Sequence, residues 1–222
     1  MTRNLDSKRR GAASGEASSV VVFLHGYGAD GNDLLGLAEP LAPHLPDTVF
    51  VAPDAPEICA TNPGGFQWFP IPWIDGSSEE AAERSMEQSV IDLNAYLDSV
   101  LEEENLSAEQ MVLFGFSQGT MMSLHVAPRR DEPFAAVVGF SGRLLQPESL
   151  EDELKTRPPV LLVHGDQDDL VPVQSLQDAG QALSELGFEV YAHIMEGTGH
   201  GIAPDGLNVA LAFIRDRLGV DQ

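Results

Sequence analysis

The stretch from Met111 to Met122, Met-Val-Leu-Phe-Gly-Phe-Ser-Gln-Gly-Thr-Met-Met, constrains the fold more than any other part of the chain. An apolar run from Met111 to Phe116 stops on Ser117, and helix-compatible residues from Gln118 to Ala127 follow at once. Gly115 and Gly119 stand two positions to either side of the serine. This spacing predicts a strand, a sharp turn and a helix, the arrangement known as a nucleophile elbow. A serine squeezed between a strand and a helix needs empty space beside it. Glycine supplies that space, and the hydroxyl then projects from the end of the sheet. The alternative is a buried serine in a tight turn with no chemistry, so the remaining motifs must discriminate.

The flanking sequence alternates strand and helix signals. Val20-Val-Val-Phe-Leu24 and Val49 to Ala52 are continuous apolar runs, the pattern of strands buried on both faces of a parallel sheet. Between them Leu34, Leu35, Ala38, Leu41 and Ala42 have helical spacing. Ser77-x-x-Glu80 reads as a capping box. Met86, Val90, Leu93, Leu97, Val100 and Leu101 then mark an amphipathic helix running to about Glu104, with Glu102 to Glu104 read as solvated surface. Further strands are predicted over Ala135 to Phe140, Val160 to His164 and Val190 to Met195. Helices are predicted around Leu176 to Leu186, stopped by Gly187, and Leu207 to Leu218, opened by Pro204 and stopped by Gly219. Such alternation predicts an α/β fold: a mostly parallel, doubly wound sheet with helices on both faces. One domain is expected over residues 20–222, preceded by a polar N-terminal tail over residues 1–19.

Charge narrows the partners. Lys and Arg number 12 against 35 Asp and Glu, a formal net charge of −23. That field repels nucleic acid and anionic membrane surfaces, so neither nucleic-acid binding nor stable membrane association is expected. Only Lys8 and Lys155 are lysines, and an acidic, lysine-poor surface suits a salty environment. The single cysteine, Cys59, leaves no internal disulfide. Lys8-Arg9-Arg10 is followed by polar residues instead of an apolar stretch, which argues against a secretory leader. No apolar run reaches membrane-spanning length, so a cytoplasmic location is the expectation.

In open α/β sheets ligands bind beyond the carboxyl ends of the strands, so chemistry is sought on the loops there. A serine hydroxyl needs a base, and the base needs a carboxylate to hold its tautomer. His200, in Gly197-Thr-Gly-His-Gly201 after the last strand, is the candidate base. His25 and His164, each at the end of a strand and followed by glycine, fit structural hydrogen-bonding roles better. The loop after Val163 offers Asp166, Asp168 and Asp169 as the carboxylate, and spacing alone does not choose among them. Two backbone N–H groups must face the developing oxyanion. Gln118, directly after the serine, and Tyr27, in the glycine-rich loop His25-Gly-Tyr-Gly, are the candidates. That loop lacks the spacing of phosphate-binding motifs, and neither a metal-binding motif nor a cofactor fingerprint is present.

The longest irregular segment runs from Pro53 to Gly76 and holds both tryptophans. Phe66, Trp68, Phe69, Ile71 and Trp73 on it are read as an apolar wall for a substrate, together with Leu170.

Taken in order, His25-Gly-Tyr-Gly-Ala-Asp-Gly-Asn-Asp-Leu34, Gly115-Phe-Ser-Gln-Gly119, Gly139-Phe-Ser-Gly142, His164-Gly-Asp-Gln-Asp-Asp-Leu-Val-Pro172 and Gly199-His200 resemble the phospholipase/carboxylesterase family of small α/β-hydrolases, which includes the acyl-protein thioesterases. The resemblance extends from Val20 to Leu218. It implies the α/β-hydrolase fold without a large lid, Ser117 as nucleophile, His200 as base, and Asp168 as the triad acid. It also implies backbone donors at Tyr27 and Gln118, a small-molecule ester substrate, no cofactor, and self-association as a homodimer in keeping with many members. One departure stands out. Trp68-Phe69 is followed by Pro70-Ile-Pro-Trp73, where members often carry an acidic residue. The expected activity is a serine carboxylesterase acting on short- to medium-chain esters. An acyl-protein thioesterase or lysophospholipase is the alternative, and a non-catalytic hydrolase-fold binding protein is a remote one.

Overall fold

Residues 2–220 are described by a computed structural model of the chain. Its strands are β1 (Ser7–Arg10), β2 (Ser19–Leu24), β3 (Thr48–Pro53), β4 (Glu57–Ile58), β5 (Phe66–Gln67), β6 (Met111–Phe116), β7 (Ala136–Phe140), β8 (Val160–Gly165) and β9 (Val190–Met195). Its helices are α1 (Gly31–Leu35), α2 (Ala38–Leu41), α3 (Pro72–Asp75), α4 (Glu79–Glu104), α5 (Gln118–Val126), α6 (Pro147–Glu153), α7 (Gln174–Glu185) and α8 (Pro204–Arg217).

Seven strands form one sheet in the order β1-β3-β2-β6-β7-β8-β9. All neighbouring pairs are parallel except β1 with β3. The continuous apolar runs are buried on both faces, as parallel strands covered by helices must be. Along β2, Val20, Val22 and Leu24 join a core with α4, α5 and α7, whereas Val21 and Phe23 join a core with α1, α2 and α8. Each such fully buried side chain contributes roughly 1.5–3 kcal/mol.

Topology places the site. From β2 the chain turns outward to β3 on one side, and from β6 it turns outward to β7 on the other. The loops leaving these adjacent strands diverge, which opens a crevice at the carboxyl ends of β2 and β6. The glycine-rich loop and the elbow are the loops that border it.

Several expectations need correction. The N-terminal stretch is no mere tail, because Ser7–Arg10 adds an antiparallel edge strand to β3. Its polar sequence carries no strand pattern; β3 supplies the hydrogen bonds, and long-range ion pairs hold the strand in place. Arg9 reaches Glu103 and Glu104 at 2.7 and 2.6 Å, so these glutamates are ion-pair acceptors and more than solvated surface. The helix cap lies one residue later than the capping box implies: Ser78, not Ser77, accepts from Ala81 N–H. The segment from Pro53 to Gly76 has structure of its own, a β4–β5 hairpin followed by the one-turn helix α3. Among the described residues no helix is long and apolar enough to cross a membrane.

Candidate active site

Ser117 sits at the tip of β6 with φ 54° and ψ −115°, a left-handed conformation that costs a non-glycine residue on the order of 1–3 kcal/mol. Its surroundings over-determine that strain. Ser117 N–H donates to the Phe140 carbonyl at 2.8 Å, and its own carbonyl accepts from Met121 at 3.2 Å in the first turn of α5. The two glycines of the motif allow the turn by close approach, not by backbone freedom. A Cβ on Gly119 would overlap the Leu24 carbonyl, and one on Gly115 would overlap the backbone of Gly119 and Thr120. Gly26 serves the same purpose from the facing loop: a Cβ there would lie 3.2 Å from Ser117 Cβ. The elbow and the glycine-rich loop are thus in contact across the crevice.

The structure joins Asp168 to His200 and leaves Asp166 and Asp169 exposed on the same loop. Asp168 Oδ2 accepts from His200 Nδ1 at 2.7 Å. Its Oδ1 accepts the N–H groups of Leu170 and Val171 at 3.0 and 2.8 Å. Burial by itself would raise the Asp168 pKa, but the Val171 N–H, His200 and the Leu170 N–H together hold it below the usual carboxylate value. A carboxylate there fixes a proton on His200 Nδ1 and leaves Nε2 as the acceptor. The two loops are also tied by Gln167 N–H donating to the Thr198 carbonyl at 2.9 Å, and Gly165 leaves room for Thr198 and Gly199 to cross the end of β8. His200 reaches the elbow through Phe116, whose ring centroid lies 4.9 Å from that of the imidazole.

His25 and His164 are structural. His25 is fully buried, accepts the Ala55 N–H on Nε2 at 2.9 Å, and donates from Nδ1 to the Gly26 carbonyl at 2.8 Å. Burial lowers its pKa, which keeps the ring neutral. His164 Nε2 lies 2.8 Å from the Val171 carbonyl and so braces the loop that carries Asp168.

Of the two predicted oxyanion donors, Tyr27 lies on the loop after β2 and Gln118 is the first residue of α5. Among the described residues neither Tyr27 N–H nor Gln118 N–H has a protein acceptor. Their side chains are engaged elsewhere. The buried Gln118 amide accepts from Trp68 N–H and donates to the Phe69 carbonyl, both at 2.8 Å. The Tyr27 hydroxyl donates to Asp75 at 3.2 Å, and burial pushes its pKa up to about 12, so it stays a donor.

The predicted wall divides. Phe69, Ile71 and Trp73 line a cavity of about 250 Å³. Trp68 does not: it is fully buried in the core beneath, with Nε1 donating to the His25 carbonyl at 3.0 Å. Phe66 also lies off the cavity, paired through its backbone with Gly28 and Ala29. Leu170 is 73% exposed and outside it too. Pro70 and Pro72 of the same loop also line it, and further lining comes from outside the loop. Ala82, Glu83 and Met86 come from α4, and Arg143 and Leu145 come from the loop after β7. In the sequence Met86 carries only a helix-periodicity signal. Arg143 directly follows the Phe-Ser-Gly motif, whose Gly142 lies against the Ser117 carbonyl, and its guanidinium stacks on Trp73 at 5.3 Å.

A chain with this fold and this constellation compares closely with known hydrolases. Residues 11–218 match the phospholipase/carboxylesterase family, and the protein belongs to that family of α/β-hydrolases. The crystal structure of esterase PE8 is 43% identical, covers 97% of this chain and 100% of its own, and superposes with a TM-score of 0.92. Acyl-protein thioesterase 1 of Kluyveromyces lactis is 30% identical over 203 residues, 86% of each chain. Esterase YpfH of Escherichia coli is 27% identical over 199 residues, 90% of this chain and 83% of the other.

Proposed function

We propose that the protein is a serine carboxylesterase whose triad is Ser117, His200 and Asp168. The observation that carries this reading is the Asp168–His200 hydrogen bond of 2.7 Å beside a strained serine elbow. His200 Nε2 takes the Ser117 proton as Oγ attacks the ester carbonyl carbon. The carbonyl electrons move to oxygen, and the oxyanion accepts from Tyr27 and Gln118 N–H. His200 returns the proton to the alcohol oxygen as the carbon–oxygen bond breaks. Water, deprotonated by His200, then attacks the acyl-enzyme; the carboxylic acid leaves and Ser117 recovers its proton. Asp168 remains a carboxylate throughout and stabilises the transient imidazolium.

The reading assigns the acyl group to the cavity of Phe69, Ile71, Trp73 and Met86, which the triad residues do not line but which meets the elbow through Gly142 and its neighbour Arg143. A volume of about 250 Å³ is below that of typical ligand pockets, which supports short- to medium-chain substrates. Thioester cleavage is the second reading, favoured by the names of the thioesterase relatives. Turnover of nitrophenyl esters and matched thioesters from two to sixteen carbons (about that span, at ~0.8 kcal/mol per buried methylene) separates the two. Ser117→Ala should lower kcat by about 10⁶-fold and abolish fluorophosphonate labelling. Retained turnover in that variant rejects the triad.

A further inference from the structure

Tyr27 and Gln118, whose backbone N–H groups have no protein acceptor among the described residues, also hold the cavity loop with their side chains. Gln118 grips one end: its amide is bonded to Trp68 N–H and to the Phe69 carbonyl, in the manner of a paired backbone strand. Tyr27 grips the other, through Asp75, which also accepts Ile71 N–H at 2.8 Å. Between these anchors lie Phe69, Ile71 and Trp73, the loop's contribution to the cavity. A third attachment reinforces the link: Phe66 exchanges backbone hydrogen bonds of 2.8 Å with Gly28 and Ala29, directly after Tyr27. Trp68 Nε1, bonded to the His25 carbonyl, fastens the same strip to the start of the glycine-rich loop.

We infer that Gln118 and Tyr27 are positioning residues that couple occupancy of the acyl cavity to the alignment of the oxyanion donors. An acyl chain that fills the cavity presses on Phe69, Ile71 and Trp73. Through the two side-chain anchors, that pressure is borne by the same two residues whose N–H groups stabilise the oxyanion. The Gln118 amide has no slack, since it is 1% exposed and both of its polar atoms are engaged. Acyl binding energy is therefore expressed in the transition state, and lengthening the chain raises kcat instead of only lowering KM. The inference rests on the serine-esterase reading above but is separable from it, because none of the three substitutions below removes a backbone donor or a triad member.

The experiment uses the full-length protein and a series of nitrophenyl esters from acetate to octanoate, with kcat and KM measured separately. In the parent protein kcat should rise with chain length until the cavity is full. Gln118→Ala should flatten that rise, lowering kcat on the longer esters by about 100-fold, the scale of a donor displaced by an ångström. Tyr27→Phe, which deletes one hydroxyl and leaves the core intact, should flatten it partly, by about tenfold. Gln118→Glu adds a readout that simple loss of packing does not move. Its carboxylate faces the Phe69 carbonyl with repulsion, whereas its protonated form restores a donor. Its kcat relative to the parent should climb as pH falls from about 9 to 6, because a buried carboxyl titrates high. The inference is overturned if kcat retains the parent's chain-length slope in Tyr27→Phe and in whichever Gln118 variant folds, or if substitution alters KM alone. Activity surviving in Ser117→Ala, run alongside, rejects the serine-esterase reading instead.

Discussion

Around Ser117 the geometry is set by atoms that are not there. Gly115 and Gly119 have no Cβ, and neighbouring backbone fills the space where one would be; at Gly26 the Ser117 and Phe116 side chains crowd that space. Around residues 66–76 the geometry is set by polar atoms that are present. Gln118, Asp75, Tyr27 and the Trp68 indole hold the loop, and Ser89 of α4 donates to the Trp68 carbonyl. The elbow's sequence signal spans five residues, although Leu24 and Phe140 of the neighbouring strands also bound it. The cavity wall is specified by partners separated by up to 50 positions. The first region has no room for added bulk at Gly115 and Gly119, whereas in the second Trp73 is largely exposed.

The largest effect that tests this contrast lies on the triad side. Asp168→Asn keeps the shape of the loop but removes the carboxylate that orients His200. Its kcat should fall by about 10⁴-fold, far more than any accompanying loss of folded protein explains. Gly119→Ala comes next. Its methyl group must displace the Leu24 carbonyl, so denaturant unfolding should show a loss on the order of 3 kcal/mol or more. A variant as stable as the parent would mean that the elbow yields more easily than its contacts imply.

Acid should act on both regions and can be followed in the loop, because both tryptophans lie there. Burial would raise the Asp75 pKa, but the Ser77 hydroxyl and N–H, Ile71 N–H and the Tyr27 hydroxyl together lower it. Asp168 is lowered as well. For a carboxylate with a depressed native pKa, the stabilisation is fully present above the ordinary value near pH ~4 and is lost as pH falls through the native value. Tryptophan fluorescence should therefore report an acid transition below pH ~4 that Asp75→Asn weakens selectively. Equal acid sensitivity in parent and variant removes Asp75 as an anchor. The smallest effect is expected for Trp73→Ala. The side chain is 69% exposed, so stability should change by less than about 0.5 kcal/mol. The preferred acyl chain should nonetheless lengthen by a few carbons, because the stack with Arg143 is opened.

The strands were legible because parallel strands buried on both faces must be continuously apolar, as Val20 to Leu24 and Val160 to Val163 are. The elbow was legible because its constraint is local. Ser7–Arg10 was not, since a strand built from Ser-Lys-Arg-Arg is held by β3 and by acids on α4, none of them nearby in sequence. Trp68 was misread for a related reason. Trp68 turns into the core while residues 69–73 line the cavity, and composition does not say which aromatic is buried. The aspartate was narrowed by family resemblance alone, until the Asp168–His200 contact distinguished it from its two neighbours.

By itself the sequence determined the alternation of strands and helices, the serine turn and the loops on which an acid and a base could stand. Each of these follows from periodicity or from sterics acting over a few residues. Only the tertiary structure decided which aspartate meets His200, which aromatics face the cavity, and that Tyr27 and Gln118 each grip the cavity loop. Those facts depend on contacts between segments far apart in the chain, and they exist only once the sheet has brought the segments to one edge.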